Sequence, residues 1–599
     1  MAIVALSIRQ HSGERTEASL LLDTGAQPTR GTRTPLSKRC CHRSCKIFSK
    51  IHILSHITNT HRCSQLTTNH HTKKKYDKGA MMQRVVLPAC RGTRRHVVVS
   101  SSRCTGRFRR TLSSSSRHAT LTADHVQAFC QILPQPATQV VQDAAILADR
   151  NTDWTKHYTG KAQVVLFPST PTELAAVLQY CNAQRLAVVP QGGRTGLVGG
   201  GIGTGPDTVL VALDQMNQIV HLDETTGILQ CQAGCILQLV QEHAAAHGYL
   251  VPIDLGSKGS CQIGGNLSTN AGGQYYYRYG SLAANVVGLQ VVLADGRLLD
   301  LHYSAPNLKD NTGYKLYQLF LGAEGTLGII TAVALQCAPL PISVQAVLLA
   351  CDSYHQVLQV LRTARRQLGE IVGALEFMDA TVLQQLRQAQ HKIPLLRADN
   401  DDVFPYYLLV ETHGSNEAHD TEKMQQFVET LLEEGVVENG VMAADESQRQ
   451  SFWALREAAN PTFGSLGYGY KYDVSVPVGQ WDDFCNVVRK HLQQHLPPDV
   501  TWIQGNWGHI MDGNLHWNLV TPGRSTLDPR VLEQIEPFLL QQVLERKGSI
   551  SAEHGLGQAK NKYLPMVHSE VTLQTMQELK ALWDPNGIMN PGKVLPPKE

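Results

Sequence analysis

The chain has 599 residues, 54 Lys and Arg against 51 Asp and Glu, a formal net charge of +3 and 42% hydrophobic residues. That length accommodates two or more domains, and no apolar run reaches the roughly 18 residues of a membrane span. Residues 1–120 hold about 23 basic and 4 acidic side chains, which leaves the rest near −16, and an acidic body without a basic stripe argues against nucleic-acid binding.

From Met81 to Ala123 there is no acidic residue, while Arg84, Arg91, Arg94, Arg95, Arg103, Arg107, Arg109 and Arg110 precede four serines at 113–116. Such Arg- and Ser-rich, acid-poor segments are import signals of mitochondria or chloroplasts. The expectation is a disordered targeting leader over residues 1–120. Translation is expected to begin at Met81 or Met82, with the earlier part an extension of the gene model. Cys40, Cys41, His42 and Cys45 have no matching second pair, which argues against a metal site there. The eight cysteines of the body are scattered in apolar surroundings, as in a reducing compartment.

The body begins with helical spacing over residues 124–151. A strand at 163–168, a helix at 171–184 with Pro171 near its first turn, and a strand at 186–189 then form a β-α-β start. Strand-like and helical runs at 208–213, 219–231, 237–247, 286–293 and 327–335 continue an α+β pattern to Pro339. Composition shifts at Pro339-Leu-Pro341. Strands at 344–350, 374–378 and 406–411 then alternate with helices at 353–368, 380–390 and 421–434, predicting a second domain built on a sheet backed by helices. A last helix at 576–583 stops before the turn Asp584-Pro-Asn-Gly587.

Glycines cluster between the early strands, in Pro190-Gln-Gly-Gly-Arg-Thr-Gly196, Gly199-Gly-Gly201 and Gly264-Gly-Asn-Leu-Ser-Thr-Asn-Ala-Gly-Gly273. Loops of this kind bend through positive φ and offer several N–H groups to an anion, most often a phosphate. The spacing fails the G-x-G-x-x-G fingerprint of a nicotinamide fold, and a strand follows where that fold needs a helix. In the second domain, Gly508-His-Ile-Met-Asp-Gly-Asn-Leu-His516 brings two His seven residues apart, and Ser551-Ala-Glu-His-Gly555 supplies a carboxylate beside a third. Imidazole plus carboxylate suits zinc or manganese with open positions for water or substrate. Arg456 and Lys471 offer charge to an anion, or pair with Glu457 and Asp473 on a solvated face.

Together these motifs resemble the vanillyl-alcohol oxidase, or para-cresol methylhydroxylase (PCMH) type, superfamily of FAD-binding oxidoreductases and transferases. Within it they resemble the mitochondrial D-2-hydroxyglutarate dehydrogenase family. The resembling runs also include Pro252-Ile-Asp-Leu-Gly-Ser-Lys-Gly-Ser-Cys261, Asp310-Asn-Thr-Gly-Tyr314, Gly322-Ala-Glu-Gly-Thr-Leu-Gly-Ile329, Tyr470-Lys-Tyr-Asp473 and Asn590-Pro591. The resemblance implies a two-subdomain FAD-binding domain at 121–340, a substrate and metal domain at 341–555, and a segment at 556–599 that returns to the flavin. It carries flavin contacts onto Pro190, Gly192, Gly193, Arg194, Thr195, Gly196, Gly256, Ser257, Gly264, Gly265, Asn266, Thr269, Asn270, Gly272, Gly273, Gly280, Ile330 and Asn590. The FAD is expected to be non-covalent, since neither loop holds a His, although Cys261 lies close by. The resemblance further implies that His509, His516 and Glu553 hold a divalent metal, zinc being the ion expected. Arg456, Asn460, Lys471 and Asn518 are implied to bind substrate. His554 is implied to sit at the reacting hydroxyl as general base. Three positions depart from the pattern: Asn460 stands in place of a hydroxyl residue, Met511 in place of a Gly, and Arg194 in place of a small polar residue. The implied reaction is oxidation of D-2-hydroxyglutarate to 2-oxoglutarate by hydride transfer from C2 to flavin, with the metal polarising the hydroxyl. D-lactate oxidation and an ether-lipid-synthase type of transferase are its rivals. The implied acceptor is electron-transferring flavoprotein, and a homodimer is compatible with the family.

Overall fold

The computed structural model describes residues 118–397 and 402–597. The leader expected over residues 1–120 lies outside the described residues up to position 117, as do Met81 and Met82. The α+β expectation holds, in three principal sheets.

The first sheet contains β1 (Val140–Val141), β2 (Val164–Leu166), β3 (Val188–Gln191) and β4 (Val209–Ala212), in the order β1-β2-β4-β3. Only the β1–β2 pair is antiparallel. The helix expected at 124–151 is instead broken into Ala123–Ile132, Pro136–Gln139 and Ala144–Arg150. Pro134 and Pro136 cannot continue a helix, and Val140–Val141 is diverted into the sheet against Leu166 and Val165. Helix Pro171–Gln184 starts as predicted, with Pro171 at its first position and the Thr170 side chain accepting from the Glu173 N–H.

The second sheet contains β5 (Ile219–Asp223) and β6 (Ile228–Gln232). A short pair, β7 (Tyr249–Leu250) with β11 (Ala338–Pro339), brackets β8 (Val286–Val292), β9 (Leu298–Leu301) and β10 (Ile329–Gln336). The order is β5-β6-β10-β8-β9, antiparallel throughout. One apolar core joins the two sheets. It gathers Leu174, Val177 and Leu178 from the helix, Val188 and Val209 from the first sheet, and Leu229, Leu289 and Val333 from the second.

The third sheet has seven strands in the order β15-β12-β14-β13-β17-β18-β16. They are β12 (Ser343–Cys351), β13 (Val372–Asp379), β14 (Tyr406–Gly414), β15 (Asn439–Met442), β16 (Gly467–Ser475), β17 (Ile503–His509) and β18 (Asn514–Pro522). Every neighbouring pair is antiparallel. One face packs against helices Tyr354–Gln367, Glu417–Glu433 and Trp481–His495 through Phe377, Phe427, Trp481 and Trp517. Part of the other face packs through Met378, Phe463 and Trp507 onto helices Ala380–Gln388 and Ala459–Leu466. The remainder of that face carries the polar side chains described below.

Helix Glu570–Trp583 starts earlier than expected because Ser569 caps it, accepting from the Thr572 N–H. Beyond it the chain turns back to the first sheet. The Val188 N–H donates to the Ile588 carbonyl at 2.8 Å, and the Asn590 N–H donates to the Val188 carbonyl at 2.8 Å, in a parallel bridge beside β3. Asp584, 2% exposed, holds this turn. Its carboxylate accepts from the Ile588 and Met589 N–H groups at 3.0 and 2.8 Å and from Lys580 at 2.5 Å. Asp584→Ala leaves those donors buried and unpaired. It is expected to destabilise the C-terminal turn by about 2–3 kcal/mol, seen as a lower thermal midpoint and earlier release of bound flavin on heating.

Candidate functional site

At the end of β3 the chain enters the first glycine loop. The Gln191 side-chain amide donates to the Arg150 and Gly201 carbonyls at 2.9 and 2.7 Å, folding the loop back on the sheet. A Cβ on Gly193 would stand 2.0 Å from the Ser260 carbonyl, so no larger residue fits between this loop and the next. Arg194 adopts a left-handed φ of 57° and turns its guanidinium to the Asp149 carboxylate at 2.6 Å.

Together the loops line a cavity with about 1000 Å³ of empty space, part of it open to solvent. Its walls include Pro190, Gly192, Gly193, Arg194, Thr195, Gly196, Gly264, Gly265, Asn266, Thr269, Ile330 and Asn590. Gly256, Ser257, Asn270, Gly272, Gly273 and Gly280 do not line it. Asn270 instead ends helix Ile263–Thr269 in a left-handed conformation. Gly280 ends helix Tyr276–Tyr279. The buried amide oxygens of Gln191, Gln262, Asn266 and Asn590 all belong to wall residues and have no hydrogen-bond partner in the protein. Buried polar atoms are normally paired, so this set fits a large, polar, hydrogen-bonding ligand such as a dinucleotide. Cys261 also lines the cavity, and burial raises its thiol pKa.

Glu324, 7% exposed, was not singled out in the sequence, although its Gly-flanked run was. Its carboxylate accepts from the Leu556 and Gly557 N–H groups at 2.7 and 2.9 Å, and its carbonyl accepts from the Asn590 amide at 2.7 Å. It thereby ties the cavity wall to both C-terminal loops. Burial raises its carboxyl pKa despite those donors and the nearby Lys593 and Lys560.

The second constellation assembles on the third sheet by register. Residues opposed in an antiparallel pair share a face, as do i and i+2 along a strand. Glu376 of β13 opposes His509 of β17, and His509 opposes Asn514 of β18. One step along, His516 opposes Asp473 of β16, and a further step pairs Asn518 with Lys471. The two histidines seven residues apart are therefore joined by the β17–β18 hairpin, with ring centroids 5.3 Å apart.

Glu553 and His554 reach this face from the loop after Ile550. Their N–H groups donate to Asp473 Oδ2 at 2.9 and 3.0 Å, and Asn514 donates to Asp473 Oδ1 at 2.6 Å. Gly273 donates its N–H to Glu553 Oε2 at 2.7 Å, and a Cβ on Gly272 would meet that oxygen at 2.8 Å. The second glycine loop therefore holds the carboxylate, in addition to lining the cavity with its first half. Potential ligand atoms of Asp473, His516, Glu553 and His554 lie within 4.8 Å of one another, a spacing a metal ion can occupy. His509, expected with His516 and Glu553, has Glu376 at 3.7 Å and Asp512 at 3.8 Å as its carboxylate neighbours.

The charges are strongly coupled. Burial opposes ionisation of Asp473, but Lys560 and the backbone donors of Glu553 and His554 override it and hold its carboxyl well below the usual range. Burial likewise disfavours charge on His509, yet Glu376, Asp512 and Glu553 raise it to about 9. His516 goes the other way. Burial and the positive charges of His509 and Arg456 outweigh Asp473 and keep it neutral, as a metal ligand must be.

Arg456 donates through Nε to Glu376 Oε2 at 2.6 Å. Lys471 donates to Asn460 Oδ1 at 2.7 Å, and burial lowers its pKa. Asn518 donates its amide to the His516 carbonyl at 3.0 Å. Met511 is 4% exposed and its side chain packs into the core on the helical face, while its carbonyl accepts from Arg365 at 2.7 Å. Its added bulk is thus absorbed away from the site. Glu376 was missed in the sequence. The signal was there, as a lone acid among Gly373-Ala-Leu and Phe-Met378 in a buried strand.

Residues 162–302 match the FAD binding domain family, and residues 340–594 match the FAD linked oxidases C-terminal domain family. The mitochondrial D-2-hydroxyglutarate dehydrogenase of Bos taurus is 42% identical over 477 residues, covering 80% of this chain and 84% of that protein. In fold the chain is similar to p-cresol methylhydroxylase with substrate bound (TM-score 0.60, 14% identity, 79% of this chain and 96% of that one). It is also similar to an alkyldihydroxyacetonephosphate synthase (TM-score 0.61, 15% identity, 79% and 85%). At that identity both likenesses speak to the PCMH-type fold alone.

Gly193→Ala drives a methyl group into the Ser260 carbonyl. The variant is expected to purify with less than about a tenth of the wild-type flavin, because the two loops must part by more than an ångström to admit it. Flavin absorbance per chain in the purified protein measures this.

Proposed function

Because the chain belongs to the D-2-hydroxyglutarate dehydrogenase family of FAD-linked oxidases, we propose that it oxidises D-2-hydroxyglutarate to 2-oxoglutarate. Like the family, it is mitochondrial. The observation that carries the reading is His554, which stands both in the cavity wall and within the Asp473–His516–Glu553 cluster. A histidine that borders the flavin cavity and the charged cluster at once is placed for proton transfer beside a redox centre.

FAD, which the glycine loops at residues 190–196 and 264–269 would hold, would supply the acceptor for the C2 hydride. His509, His516 and Glu553, with Asp473 beside them, would hold a divalent metal, for which zinc is the ion proposed, and it would supply Lewis-acid polarisation of the substrate hydroxyl. The residues of the chain do the rest. His554 accepts the hydroxyl proton. Asp473 fixes the His554 backbone, and its Oδ2 lies 3.8 Å from Nδ1, where it stabilises the imidazolium that forms. The Nε of Arg456 is engaged by Glu376, so a substrate carboxylate takes the outer edge of the guanidinium. Lys471 meets the second carboxylate with Asn460 beside it, and Asn518 binds the substrate near His516. Two cations at separate places favour a diacid over a neutral alcohol. Electron-transferring flavoprotein is proposed as the acceptor, and the Arg-rich leader as a mitochondrial transit peptide.

Anaerobic mixing of the flavoprotein with candidate acids tests this reading. Rapid loss of oxidised-flavin absorbance with D-2-hydroxyglutarate, not with its L-enantiomer, and its suppression by a chelator are expected. Bleaching by D-lactate alone moves the substrate, and no bleaching by either acid overturns the reaction. His554→Asn is expected to slow flavin reduction by about 100- to 10,000-fold while the protein still binds substrate. Single-turnover stopped-flow measurement separates the two effects.

A further inference from the structure

Trp154 is a large apolar side chain with 57% of its surface exposed, on a loop built to hold it still. Residues 151–160 close through a bridge between Thr152 and Thr159. The Asp153 carboxylate accepts from the Tyr158 and Thr155 N–H groups at 2.8 and 3.2 Å and from the Thr155 hydroxyl. The Asn151 amide exchanges two hydrogen bonds with Ala162, both 2.9 Å long. This loop grips β16 at two points. The His157 ring stacks on Tyr468 with centroids 4.4 Å apart, and Lys471 Nζ stands 5.4 Å from the centre of the Trp154 ring.

We propose that Trp154 is a specificity-determining residue, whose indole face holds the Lys471 ammonium in place at the outer end of the substrate pocket so that it meets a distal carboxylate. This rests on the reading that Lys471 binds a substrate carboxylate. A lysine on a four-carbon stem loses rotamer freedom when a ligand fixes it, and fixing it beforehand removes that cost. The way it is fixed matters. The groups that hold Lys471, the Trp154 ring and the Asn460 amide, are both uncharged. They orient the ammonium and leave its charge to the ligand, whereas a carboxylate partner competes with an incoming anion, as Glu376 does at Arg456. The bland alternative is that Trp154 only glues one loop to β16, and the two roles differ in what they discriminate.

The test uses flavin-loaded wild-type protein and the variants Trp154→Phe, Trp154→Leu and Lys471→Met. Two five-carbon substrates are compared, D-2-hydroxyglutarate and D-2-hydroxyvalerate, which lacks the distal carboxylate. The readout is the ratio of their kcat/KM values, with flavin content and thermal midpoint recorded for every variant. Trp154→Leu is expected to lower the ratio about 3- to 30-fold, chiefly through KM for the diacid, and Trp154→Phe to retain most of it. Lys471→Met is expected to lower it further. A wild-type ratio in Trp154→Leu beside a lowered ratio in Lys471→Met overturns the role of Trp154 and leaves the Lys471 reading standing. So does an equal loss in the Leu and Phe variants. A wild-type ratio in Lys471→Met removes the reading on which this inference rests. Lower flavin content in Trp154→Leu with its ratio intact identifies the loop-packing role and also overturns the proposal.

Discussion

A carboxylate that is 1% exposed stays charged only if donors and positive groups surround it, and Asp473 is surrounded from three directions. Asn514 donates from the neighbouring strand, the Glu553 and His554 N–H groups donate from the C-terminal loop, and Lys560 lies close enough to add its charge. Burial and charge pull in opposite directions here, and charge prevails. Each donor therefore comes from a part of the chain that has to be in its native place. The hairpin that carries Asn514 and His516 and the loop that carries Glu553 and His554 share one acceptor, so displacement of either disturbs the other.

The glycine-rich loops show how one composition serves two purposes. In the first loop, glycine permits close approach of backbone to backbone, with Gly193 against the Ser260 carbonyl. In the second, the early glycines border the cavity, while Gly272 makes room for the Glu553 carboxylate and Gly273 donates its N–H to it. The phosphate-cradle reading of the sequence accounts for the first loop and the front of the second. It misses the turn of the second loop toward the charged cluster, because a glycine that admits a side chain from 280 residues away looks, in sequence, like a glycine that admits a ligand.

Local signals were legible wherever local chemistry decides. Thr170 with Pro171 marked a helix start. The paired histidines lay on a hairpin because the spacing from His509 to His516 leaves room for a turn between short strand ends. The helix expected over residues 124–151 failed because its apolar periodicity was weighted above Pro134 and Pro136. The roles of Glu376 and Asp473 stayed out of reach for another reason, although a lone acid in a buried strand flags Glu376 as unusual. Their meaning comes from register across strands far apart in the chain, and one sequence does not display register. Arg194 lines the cavity, and its guanidinium also meets Asp149, a partner that proximity in space supplies and proximity in sequence does not.

The return of residues 588–590 to the edge of β3 has a consequence for assembly. Asn590 supplies a wall of the cavity, and its amide reaches carbonyls 390 and 266 residues earlier in the chain. The compartment for the cofactor is thus finished by a segment synthesised 390 residues after the wall it closes on. Contacts of such separation form late, because the entropy of closing the intervening chain is lost before the contact rewards it. A ligand that binds only the closed form adds its binding energy to that closure. The cofactor therefore acts as a clasp as well as a reagent, joining the front and the back of the polypeptide and stabilising the molecule by an amount that grows with the logarithm of its own concentration.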